Sequence, residues 1–254
     1  MPAETAQKTP PASPSAPAPS APAPSPARLP RQKAPGRRRL QGALNAEAVT
    51  EATRDDILQA ATAEFARSGY EAASIAAIAA QTRSSKRMLY YHFGGKAQLY
   101  AAVLEAAYAR VRRVDPPDGL QGVAPMDALR QYALDAFDNF MQHQDFVRLV
   151  LFENLAGAQV VRQSKAIAAI SADNLQSLEA IVQAGRQAGV MRRDFRVLDL
   201  FLTVVGMSFH AVSNRGSVQA ALGVDMLGDT EAGLRRQLVV ELVSRYAATA
   251  PKPR

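Results

Sequence analysis

Between residues 84 and 96 the chain reads SSKRMLYYHFGGK. Lys86 and Arg87 are adjacent cations, and Tyr90, Tyr91 and His92 are rings with polar edges. This chemistry suits a polyanion. Arginine and lysine pair with guanine O6 and N7 in a major groove. Rings with polar tips reach phosphates while their bodies pack. Gly94-Gly95 ends the run, and Lys96 behind it would set an ammonium near a nucleic-acid backbone.

Such groups need a rigid mount. Ser85 is placed to cap a helix, because its side-chain oxygen can accept an orphan amide at N2 or N3. On that helix Leu89 and Phe93 lie four apart and share the core face, while Lys86, Arg87 and Tyr91 fall on others. Upstream, Ser74 can cap a short helix, SIAAIAAQ, that buries Ile75, Ile78 and Ala79. Further upstream, Thr53 and Asp56 have capping-box spacing ahead of Ile57, Leu58, Ala61 and Phe65, and Gly69 is the expected stop. Two short helices joined by a tight turn, the second bearing cations at its start, form a helix-turn-helix.

The stretch IAAQTRSSKRMLYYHFGGKAQLY, with the helix before it, resembles the DNA-binding domain of the TetR family of regulators. Ile78, Ala79, Ser85, Leu89, Tyr90, Phe93, Lys96 and Leu99 fall on the family pattern. Thr82-Arg83-Ser84 departs from it, with Arg83 at the place of a turn glycine. Either that turn does without positive φ or it carries strain; Arg83 also adds a cation close to the DNA. The resemblance implies that Lys86, Arg87 and Met88 face bases. It also implies that Tyr90, Tyr91 and His92 touch phosphates or pack at the DNA edge, and that Lys96 grips a phosphate. For Tyr90 a core position is an equal alternative. Arg83 and Ser85 complete the expected DNA-binding set.

Residues 49–100 are thus expected to form a three-helix DNA-binding domain, and 101–250 an all-α domain for ligand binding and dimerisation. Helical patterns run over 97–113, 126–143, 144–158, 165–189 and 197–212. The last, VLDLFLTVVGMSFHAV, is apolar nearly all round and should be buried on several sides. In relatives, the last two of these pair with their copies in a four-helix interface. The resemblance therefore implies a homodimer on a palindromic duplex, with two recognition helices about 34–36 Å apart. Polar groups inside apolar helices suggest a pocket for a small-molecule effector: Glu153 and Asn154 after Phe152, and His210 after Phe209. DFVRLVLFENLAGA and SFHAVSNR are moderately similar to the pyrimidine-utilisation regulators of the family. Two other readings stand beside the pocket: Glu153 as a buried partner of Arg148 or Arg162, and His210 as a core or interface histidine.

Composition narrows the rest. The 254 residues include no cysteine and carry a net charge of +7. The absence of cysteine fits a reducing cytoplasm. No apolar run reaches the roughly 18 residues of a membrane span, and no compact secretory h-region is visible. Most of the 16 prolines lie in residues 1–48, with alanine and serine, and this segment is expected to be disordered. It holds Lys8, Arg28, Arg31, Lys33, Arg37, Arg38 and Arg39 with few acids to offset them, so it can hold phosphates without specificity. An architectural, ligand-independent DNA binder driven by that tail is the alternative. With His92, His143 and His210 the only histidines, no catalytic grouping or metal-ligand spacing stands out, and no cofactor is expected.

Overall fold

The computed structural model describes residues 37–82, 84–111 and 122–249, with side chains from residue 53 onward. Eleven helices occur among the described residues: α1 (Arg37–Ala72), α2 (Ile75–Gln81), α3 (Lys86–Phe93), α4 (Lys96–Val111), α5 (Pro125–Gln142), α6 (Gln144–Leu155), α7 (Gln159–Gln163), α8 (Lys165–Gln187), α9 (Val197–Ser213), α10 (Arg215–Leu222) and α11 (Asp229–Ala247). An isolated bridge between Met191 and Ala248 is the sole β contact described. Most of the expected tail, residues 1–36, lies outside the described residues.

The local signals behave as their chemistry requires. Ser74 Oγ accepts the amides of Ala76 and Ala77 at 3.1 and 3.3 Å, and Ser85 Oγ accepts that of Met88 at 3.3 Å. Gly69 breaks α1 with φ of 73°, and Gly94 ends α3 with φ of 81°; a side chain at either angle would be strained. One start differs from expectation. Helix α1 begins at Arg37, so Thr53 and Asp56 lie within it rather than at its cap. The intervening residues, RRRLQGALNAEAVTEA, contain no proline and are mostly good helix formers, Gly42 aside.

Two apolar cores organise the chain from residue 53 onward. One joins Ile57, Phe65, Ile78, Leu89 and Leu99 of α1–α4 to Phe146, Val147 and Leu149 of α6. The other packs α5, α8, α9 and α11 through Phe137, Leu178, Val204 and Val239. The DNA-binding helices therefore share a core with α6. Helix α9, expected to be buried on several sides, is buried along one stripe: Leu200, Val204 and Ala211 are buried, but Leu198 and Leu202 are 40% and 54% exposed. Among the described residues no single helix is long and apolar enough to cross a membrane; α9 and α10 reach that length only as a pair bent by 64°.

Candidate nucleic-acid interface

Helix α3 presents its polar face to solvent on a fixed base. Leu89 and Phe93 anchor it in the first core. Lys86 and Arg87 are exposed, and no carboxylate among the described residues pairs with either. Their charge is thus uncommitted and lies in the first turn, the end that enters a groove in this motif. Tyr91 is 77% exposed and Tyr90 54%, which places Tyr90 on the surface rather than in the core. Met88 and Ser85 are also exposed. The turn before α3 is closed by Thr82, whose hydroxyl donates to Ala79 O at 3.3 Å and accepts the Ser84 amide at 3.2 Å. Thr82 is extended, with φ of −116°. Arg83 lies outside the described residues.

Two side chains expected to reach phosphates turn toward the protein itself. His92 turns a buried Nε2 inward, without a hydrogen-bond partner. Lys96 Nζ donates to Glu71 O at 3.0 Å and stands 4.7 Å from the Tyr70 ring centre. It therefore clasps the end of α1 to the start of α4. Arg54 of α1 adds a cation that the sequence reading did not select, its guanidinium 5.1 Å over the Phe93 ring. Its i, i+3 relation to Ile57 marks a position beside the core face, yet nothing local ties it to α3.

The five residues expected at a ligand pocket do not converge. The Phe152 ring seats against Gly69, where an added Cβ would meet it at 2.9 Å. Glu153 is buried, and neither Arg148 nor Arg162 is its partner: its Oε1 accepts the amides of Val160 and Val161 at 2.7 and 3.3 Å. Arg162 instead donates to Gly157 O at 2.9 Å. Asn154 is exposed. Phe209 meets Phe140 edge-on with centroids 6.2 Å apart. His210 is exposed beside a groove of ≈ 370 Å³ that Phe137, Met207, Arg235 and Leu238 also line. No group of three His, Cys, Asp or Glu able to hold a metal occurs among the described residues.

The Gly69–Phe152 contact makes a stability prediction. Gly69→Ala combines a disfavoured positive φ with overlap onto a ring. It should cost about 2–4 kcal/mol in denaturant unfolding. A midpoint equal to wild type would show that the corner yields freely.

A capped recognition helix with free cations, on a three-helix mount fused to a helical domain, defines a helix-turn-helix DNA-binding regulator. Residues 57–103 match the model for bacterial regulatory proteins of the tetR family, and residues 125–243 match the tetracyclin repressor-like C-terminal domain. The HTH-type transcriptional repressor NicS of Pseudomonas putida is 32% identical over 180 residues, covering 71% of this chain and 84% of that protein. The repressor SCO4008 of Streptomyces coelicolor is 31% identical over 166 residues, or 64% and 79% of the two chains. The structure of the transcriptional regulator SCO4942 from Streptomyces coelicolor superposes with a TM-score of 0.58 at 25% identity, covering 79% of this chain and 99% of that one. The chain belongs to the TetR family of DNA-binding transcriptional regulators and is not an enzyme.

Proposed function

We propose that the protein is a cytoplasmic homodimeric repressor that holds a palindromic operator and leaves it when a small effector binds. The free cations at the start of α3 carry this reading. Lys86, Arg87 and Met88 read base edges; Ser85, Tyr90 and Tyr91 border the backbone, with Arg83 in the turn before them. Lys96 supports the corner and adds field toward the phosphates, and His92 serves packing more than contact. Two similar relatives are repressors, which favours repression over activation.

Dimerisation is assigned to α9 and α11 rather than to the 165–189 and 197–212 pair. Leu198 and Leu202 on α9, and Leu234, Leu238 and Leu242 on α11, are all at least 40% exposed in the single chain. Leucines four apart make a continuous stripe along α11, and an exposed stripe of this kind marks an association surface.

For the effector, the five expected residues do not build one pocket: Phe152 packs on Gly69 and Phe209 on Phe140, and His210 belongs to the α9–α11 face. A metabolite screen by thermal shift, followed by titration of hits into the operator complex, tests release. Binding without any change in operator affinity would contradict it.

The charge of residues 1–44 favours a second contribution, a non-specific hold on phosphates. Deleting them should weaken binding to operator and scrambled DNA alike and shallow the salt dependence, leaving the ranking of operator variants unchanged. Loss of that ranking in competition titrations would favour the architectural reading.

A further inference from the structure

Helix α8 spans both cores. Ile167, near its start, is buried in the first with the DNA-binding helices and α6. Leu178, Ile181 and Val182 are buried in the second with α5, α9 and α11. A shift of α8 in the second core is therefore carried to the first.

Ser164 stands at the start of α8 with each polar group bonded. Its amide donates to Val160 O at 2.9 Å and closes α7, and its carbonyl accepts the Ala168 amide at 3.2 Å. Its Oγ accepts the Ile167 amide at 3.2 Å and so caps α8. Its hydroxyl donates to Glu105 Oε1 of α4 at 2.6 Å, in a part-buried place. That distance suits a hydroxyl held by a carboxylate, about 2.5–2.7 Å, a bond roughly twice as strong as a neutral one. The other polar tie along this part of α4, Arg110 to Asp145 of α6, joins side chains 43% and 32% exposed, where an ion pair is screened and contributes little. The apolar burial of Leu99, Val103, Ala107 and Val111 resists separation of α4, but burial is non-directional. The bond from Ser164 to Glu105 is therefore what fixes the rotation of α4 on α8. Glu105 lies nine residues beyond Lys96, about 14 Å along the helix axis. A tilt at Glu105 swings the end of α4 that follows α3.

We propose that Ser164 is a positioning residue for DNA binding: by holding Glu105 it locks α4 to α8 and so sets where α3 meets the duplex. This rests on the reading that two copies of α3 hold one operator, because a slack lock lets the distance between them drift.

Ser164→Asp separates the lock from the cap. Aspartate caps a helix as well as serine does, but its carboxylate has no proton to give and sets a second anion beside Glu105. The full chain is titrated on a duplex selected from random sequence and on scrambled DNA. Ser164→Asp should weaken the selected duplex about 5–50-fold, within the usual range of coupling between sites, and scrambled DNA little. Amide exchange in the free protein should quicken about fivefold or more around Glu105, while the first turn of α8 stays protected. Glu105→Gln alone keeps an acceptor for the Ser164 hydroxyl and should stay near wild type. The two substitutions together restore a donor–acceptor pair with the roles exchanged, and should recover most of the lost affinity and protection. Three results would overturn the proposal: wild-type affinity and exchange in Ser164→Asp, an equal loss on both DNAs, or a double variant no better than Ser164→Asp. If no duplex is enriched, the operator reading fails by itself, and exchange around Glu105 still decides the lock.

Discussion

Leu202→Glu combined with Leu238→Glu should leave a folded monomer with little operator binding. Both leucines are exposed in the single chain, at 54% and 42%, so the substitutions cost the isolated fold little. In the proposed dimer they place carboxylates in a desolvated, apolar face, which cannot ionise there without a partner. Sedimentation at micromolar concentration should show half the wild-type mass, with unchanged helical circular dichroism. Operator affinity should fall by about 100-fold or more, equivalent to about 2.8 kcal/mol, because each monomer then holds one half-site alone. A variant that sediments as a dimer would remove α9 and α11 from the interface.

Arg87→Ala should produce a loss of a different kind. The guanidinium is exposed, free of carboxylate partners, and mounted in the first turn, two residues past the Ser85 cap. If it pairs with a base edge, its removal should cost about 1–3 kcal/mol on the preferred duplex and relax preference at one position per half-site. Scrambled DNA should lose much less. Lys96→Ala is the contrasting variant. Because Lys96 clasps Glu71 O and Tyr70, its loss should weaken all duplexes together and lower the unfolding midpoint as well. Titrations at several salt concentrations separate the two, and equal losses on both DNAs for Arg87→Ala would end its base-reading role.

What the sequence made legible was local. Ser74 and Ser85 bond amides two or three residues away, Gly69 and Gly94 take left-handed angles, and Leu89 with Phe93 follows helical spacing into the core. What it hid was distant or two-sided. Glu153 looked like a ligand group or an arginine partner because a lone acid in an apolar helix has few local explanations. Its amides belong to the next helix, and no periodicity connects them. His210 looked internal because α9 is apolar nearly all round; in a helix that serves both a core and an association face, an apolar pattern cannot say which side is bare. The stripe on α11 was missed for the opposite reason, since LRRQLVVELVSRY mixes exposed leucines with Arg235, Arg236 and Glu241 and reads as an ordinary solvated helix. Lys96 followed the family pattern, yet its clasp on Glu71 depends on the bend at Gly69, which only the folded corner supplies.

The central claim is that two copies of α3 read one duplex. Repeated selection from random double-stranded DNA with the full chain, followed by sequencing and footprinting of the enriched pool, tests it most directly. The account predicts an inverted repeat with half-site centres one helical turn apart or a multiple of it, protected on one face, with a base-pair position in each half that Arg87→Ala no longer selects. A pool with no enriched sequence, or one enriched in a single unrepeated site that Arg87→Ala selects equally well, would contradict it.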